Sequence, residues 1–136
     1  MAWKLYDYVD SERVNVIKEW TESKTIRSSG QLAKLNAKFD MLGLHGPNLP
    51  VGLLSDSSIT TIKKLRVRGQ LNLRPHLCEG PIHIDQEYTL LVGAIEKGFK
   101  TDPLNAAQIA ETRRREIIRD PSRRRPHERV GKATKK

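Results

Sequence analysis

The chain has 136 residues, with 25 Lys and Arg against 16 Asp and Glu and a formal net charge of +9. That length suits one ordinary domain and is too short for two, and the charge favours a polyanionic partner such as RNA, DNA or an acidic protein. The single cysteine, Cys78, excludes an internal disulfide and a cysteine metal cage, which fits a reducing cytosol. No run approaches the roughly 18 apolar residues of a membrane span, and no apolar leader follows Lys4 and Asp7. A cytoplasmic protein with no membrane association is expected. Residues 113–136 hold eleven Lys and Arg and three Asp and Glu, a net of +8, which leaves the preceding 112 residues near +1. We therefore expect a domain over residues 1–119 and a basic tail over 120–136, either a flexible solvated extension or a phosphate-binding arm.

Trp3, Tyr6, Tyr8 and Val9 suit a short opening strand. Asp10 or Ser11 can cap a following helix in which Val14, Ile17 and Trp20 recur at spacings of three, ending near Lys24. A second helix is expected from Ser28 or Ser29, with Leu32, Leu35, Phe39 and Leu42 on one face and Gly43, Gly46 and Pro47 as its stop. The short connection predicts an antiparallel helical hairpin with a shared apolar seam. Asn48–Ser58, rich in Pro, Gly and Ser, reads as a loop. Residues 62–77 carry the clearest period of two, read as two half-buried strands turning near Gly69. Tyr88–Glu96 is apolar on both faces and predicts a central strand. Asp102 as cap and Pro103 at the first position then predict a last helix through Ile118, closed by Asp120-Pro121.

The alternation places Lys64, Arg66, Arg68, Asn72, Arg74 and His76 on one face of the hairpin, with Leu65, Val67, Leu71 and Leu73 under the helices. Residues 62–76 contain no acid. Like charges across strands repel, by roughly a few tenths of a kcal/mol per pair, and bound phosphate relieves that cost. A merely solvated strand face is the plainer alternative. Arginine supplies forked donors to phosphate, and an imidazole titrates near neutral pH. These are the parts of metal-free RNA cleavage, in which a ribose 2′-OH attacks its neighbouring phosphate with the help of a base, an acid and cations. In that reading His76 or Lys64 moves protons and Arg66 and Arg74 steady the phosphorane, although a lone histidine beside Pro75 is commonly structural. His45, His83 and His127 lack metal-ligand spacing, and no Gly-rich phosphate loop is present. Neither a metal nor another cofactor is expected.

The stretches Lys63-Lys64-Leu65-Arg66, Leu73-Arg74 and Leu90–Pro103, followed by Ala106 and Ala110, resemble the RelE/HigB-like toxins of bacterial toxin–antitoxin pairs, particularly their phage-derived branch. The likeness extends loosely over residues 3–119. It implies an α+β, RelE-like fold: an N-terminal strand and a helical hairpin packed on an antiparallel sheet, then a C-terminal helix and a basic tail. It also implies a metal-independent endoribonuclease acting on messenger RNA at the ribosome, and a cognate antitoxin of the helix-turn-helix type as partner. The residues that match the family's basic positions are Arg66 and Arg74 on the strands and Lys97 and Lys100 at the end of the last strand. Arg68, Asn72, Arg113 and Arg114 complete the expected RNA-binding set. Some ribonucleolytic relatives place a Tyr or His late in the fold for stacking or proton transfer; here neither follows Phe99 until His127, which leaves Phe99 either as the stacking residue or as part of the core. Two other functions fit the same residues: a ParE-like gyrase inhibitor that cuts nothing, and a degenerate member that only binds RNA or a partner.

Overall fold

A computed structural model of the chain describes residues 3–46 and 48–130. Leu5, Tyr6 and Tyr8, with Lys4 before them and Asp7 between, form the opening strand β1 (Lys4–Tyr8). The first helix is shorter than its periodicity predicts. The Asp10 carboxylate accepts hydrogen bonds from the backbone N–H groups of Glu12 and Val14, so it closes a turn. Asn15 is the actual cap, its side chain accepting from Ile17 and Lys18, and α1 runs over Val16–Thr21. Ser23 caps a separate short helix, α2 (Lys24–Ser29), which Gly30 ends in the left-handed conformation at φ 72°. The long helix α3 (Leu32–His45) follows. The expected two-helix hairpin is therefore three segments, because each polar cap captures backbone donors that a continuous helix would need.

The region read as a loop contains β2 (Leu54–Asp56), which pairs antiparallel with β3 (Lys63–Leu65). The hairpin strands come in pieces: β3, then β4 (Asn72–Leu73) and β5 (His76–Glu79), separated by Arg74 and Pro75. Pro75 has no N–H to add to a ladder. β6 (Glu87–Val92) is buried along its whole length. Gly93 and Ala94 end it, and the chain resumes as β7 (Ile95–Lys97) and β8 (Lys100–Asp102). Asp102 pairs with Ile95 in that ladder, so it does not cap the last helix. Asn105 holds the cap position and α4 spans Ala106–Arg119.

The strands assemble into a six-stranded sheet ordered β2-β3-β5-β6-β1-β9, with β9 at Arg124–Pro126, and a three-stranded sheet ordered β4-β7-β8. Every pair is antiparallel except β1 with β6. The protein is thus mixed α+β with a mostly antiparallel sheet. Two apolar clusters cover opposite faces. Ile17, Ile26, Leu35, Phe39 and Leu42 of the first three helices pack with Leu65, Leu73, Tyr88 and Leu90. Ala106, Ala110 and Ile117 of α4 pack with Tyr8, Cys78, Leu91 and Val92. β6, placed between two layers, is buried on both sides for that reason.

Residues 120–130 correct the expectation of a free tail. β9 adds to the edge of β1 with Asp7 opposite Arg125 and Tyr8 opposite Arg124. Arg124 pairs at 2.6 Å with Glu87, which is buried. His127 Nδ1 and the Glu128 N–H both meet the Asp7 carboxylate, at 2.8 and 3.0 Å, and Asn15 Nδ2 donates to it at 2.8 Å. Asp7 is fully buried, and these partners are what makes a carboxylate tolerable there. The rest of the expected tail, 131–136, lies outside the described residues. No helix among the described residues is long and apolar enough to cross a membrane.

Candidate nucleic-acid interface

The basic hairpin forms in the register that the alternation predicts. Lys63 lies opposite Leu77 and Lys64 opposite His76, and an isolated bridge continues the same register with Val67 opposite Leu73. Arg66 is thereby set across from Arg74, and Arg68 across from Asn72. Leu65, Val67 and Leu73 are completely buried against the helices. Leu71 is half-buried against the same cluster. The turn is held by Gln31, at the start of α3. Its side chain donates to the Leu71 carbonyl at 3.0 Å and accepts from the Leu71 N–H at 2.8 Å. Its amide lies so close to Gly69 that a Cβ there would come within 2.5 Å of it, so a side chain at that position would push the glutamine off the turn. Lys34, one turn along α3, donates to the Arg68 carbonyl and brings another cation to the hairpin.

Within that face the environments differ sharply. Lys64 and Arg66 are half-exposed, and Arg68 and Asn72 are exposed. Among the described residues, no carboxylate lies at ion-pair distance from Lys64, Arg66 or Arg68. Arg74 is buried, and its Nε donates to Glu96 of β7 at 2.8 Å while its Nη1 donates to the Leu73 carbonyl at 2.9 Å. His76 is 1% exposed. Its Nδ1 lies 2.7 Å from the Arg74 carbonyl, and a carbonyl can only accept, so Nδ1 carries the proton and Nε2 holds the lone pair. Burial pushes the His76 pKa below its ordinary value, and Lys64 acts in the same direction, against the Arg74 carbonyl and Glu96. The imidazole is therefore neutral at pH 7.

Four of the expected RNA-binding residues stand elsewhere. Lys97 shares the face of Ile95, and its ladder partner Lys100 that of Asp102, on the opposite side of the sheet from Glu96 and the Arg74 guanidinium. Both lysines are exposed, so they extend the basic surface around the edge of the molecule without joining the hairpin face. Arg113 donates to the Leu91 carbonyl at 2.8 Å and lies over the Tyr8 ring. Arg114 is paired with Glu111 at 2.8 Å. Both are half-buried and committed to the fold.

The same holds for much of the C-terminal charge. Arg115 pairs with Glu111, Arg123 with Glu116 and the Tyr8 hydroxyl, Arg125 with Glu128, and Arg129 with Asp40. Tyr8, whose hydroxyl donates to Glu116, has its pKa raised to about 12, chiefly by burial and then by that hydrogen bond. Sequence reasoning did not find Glu96, Gln31 or Glu111 as partners. Each lies three to forty residues from the group it holds, and only Glu111, at three and four residues from its arginines on a helix, left a readable signal.

Comparison with protein-family models, with curated proteins and with solved structures finds no match to this chain.

Proposed function

We propose that the protein is an RNA-acting toxin of the RelE/HigB type, a metal-independent endoribonuclease that works on messenger RNA at the ribosome and is restrained by a small antitoxin with a helix-turn-helix. The supporting observation is the face on which Lys64 and Arg66, half-exposed and without carboxylate partners, lie across from a neutral histidine and an arginine. Lys64 and Arg66 hold the phosphate. His76 Nε2 takes the proton from the 2′-OH as its oxygen bonds to phosphorus, and the bond to the 5′-oxygen breaks as that oxygen takes a proton from the Lys64 ammonium. The products are a 2′,3′-cyclic phosphate and a free 5′-OH. Because His76 is 1% exposed, this reading requires its cover to part when RNA binds.

That burial, and the pairing of Arg74 with Glu96, favour one alternative: a member of the same fold type that binds RNA through Lys64, Arg66 and Arg68 and cuts nothing. Controlled expression in bacteria, with transcript ends mapped, separates the two. Growth arrest with cut messages, abolished by Arg66→Gln, is the expected result. Arrest with intact RNA and DNA-damage signals would point to a gyrase inhibitor, and unimpeded growth with retained RNA affinity would leave the binding reading.

A further inference from the structure

The tip of the β7–β8 hairpin carries residues that neither the core nor the turn requires. Lys97 and Lys100 face each other in the ladder, so Gly98 and Phe99 alone connect the strands. A two-residue connection needs positive φ at its first position, or at both. Gly98 supplies it at 63°, and Phe99 needs no such backbone. Phe99 is fully exposed at 107%, so its ring contributes nothing to either apolar cluster. A single exposed apolar residue is ordinary on a protein surface; an aromatic one between two lysines on a tight turn is more specific. Among the described residues, neither lysine has a carboxylate at ion-pair distance. Directly opposed like charges destabilise a strand pair, and a bound polyanion removes that repulsion.

The complementary ligand is a single-stranded nucleic acid, whose bases present open faces for stacking and whose phosphates match the lysines. A duplex hides those faces. The tip also adjoins the basic hairpin, since β7 pairs with β4, in which Asn72 is exposed beside Glu96.

We propose that Gly98-Phe99 is a stacking finger: Phe99 lies on one base of single-stranded RNA while Lys97 and Lys100 hold the flanking phosphates. The finger rests on the RNA-acting reading above, since it places a second contact on the same ligand. It reaches the strand from the sheet side opposite the Arg74 guanidinium, and so extends the footprint beyond the hairpin.

The test is fluorescence anisotropy of a short labelled single-stranded RNA titrated with the full chain at several salt concentrations. Phe99→Ala is expected to weaken binding by about five- to a hundred-fold, the range for one lost base stack, with the salt slope unchanged. Phe99→Trp retains affinity. Lys97→Gln with Lys100→Gln is expected to lower the slope of log K against log salt by roughly 1.4. The melting temperature of Phe99→Ala stays at the parent value, as an exposed position predicts, and that of the double variant stays there or rises slightly as the opposed charges go. Binding of RNA by the parent with Phe99→Ala within about twofold of it would overturn the finger and leave the RNA reading intact. A full chain that binds no RNA would overturn both. Loss of affinity for anionic vesicles in Phe99→Ala, with RNA affinity unchanged, would assign the tip to a membrane surface and overturn the proposal.

Discussion

At the scale of single residues, the four groups offered for catalysis divide into two pairs. Lys64 and Arg66 are half-exposed, whereas Arg74 and His76 are buried and hydrogen-bonded. Arg74 is buried while its partner Glu96 is partly exposed, so removing the guanidinium leaves a carboxylate that water partly solvates. Arg74→Gln is therefore expected to lower stability by about 1.5–3 kcal/mol, the range for a hydrogen bond to a charged group, read as a shifted urea midpoint, and any loss of activity in it is confounded by that. Arg66→Gln is the cleaner probe: RNA affinity falls while the midpoint stays within about 0.5 kcal/mol of the parent. His76 supplies a pH signature. Its folded pKa lies below the ordinary value of 6.5 because burial disfavours the imidazolium, so the unfolded chain takes up the proton first. The histidine accordingly costs nothing above that value and lowers stability as pH falls below it, until the folded pKa is passed. Urea midpoints measured from pH 7 to pH 5 should decline in the parent and decline less in His76→Leu. Parallel curves would mean that the imidazole is not held neutral.

Elements show the same division between what is local and what is not. The hairpin of β3 with β4 and β5 has its faces set by alternation, but its turn is held in place by a glutamine from another element. Gln31→Ala leaves the Leu71 N–H and carbonyl without these partners and is expected to cost about 1–3 kcal/mol, with faster hydrogen exchange confined to residues around the turn. On α4, Glu111 accepts from Arg114 and Arg115, and also from Thr61. The Arg114 hydrogen bond is the largest cause that lowers its pKa, to about 2. A depressed carboxylate pKa contributes stability above the unfolded value, about 4.3, and loses it as pH falls from there through the folded value. Glu111→Gln should therefore lower the melting temperature at pH 7, and the gap from the parent should close between about pH 4.5 and pH 2. A gap that stays constant over that window would show that the ion pairs contribute through packing alone.

For the molecule as a whole, charge and fold are linked through the C-terminal segment. Most of its arginines are bound to carboxylates, carbonyls or aromatic rings of the domain. Truncation after residue 119 removes β9, the His127 and Glu128 partners of Asp7 and the Arg124 partner of Glu87, leaving two buried carboxylates held only by Asn15 and by the Ile82 and His83 N–H groups. Such a chain is expected to be unfolded, with no cooperative melting transition. Removing only residues 131–136 takes away Lys132, Lys135 and Lys136. This shorter deletion keeps β9 and the partners of Asp7 and Glu87 in place. It should lower the salt slope of RNA binding by at most roughly 2, the value for three lost phosphate contacts on a single strand. An unchanged slope would mean that these lysines touch no phosphate.

What this sequence determined by itself is whatever depends on neighbours a few residues apart. The acid-free alternation of residues 62–76 set which side chains share a face, and the apolar run at Tyr88 marked the central strand. The stop of α4 at Asp120-Pro121 was also legible. Tertiary structure decided the rest. Asn15 rather than Asp10 caps α1, and its amide is fixed for that role by the buried Asp7 of β1. Whether Arg74 was free or paired depended on Glu96, which only the β4–β7 pairing brings alongside. Whether residues 120–130 formed a tail or an edge strand depended on Asp7 and Glu87, buried carboxylates whose partners lie far along the chain. A long-range ion pair leaves no period in a sequence. Its energy comes from desolvated charges meeting in space, and only the folded chain shows which ones meet.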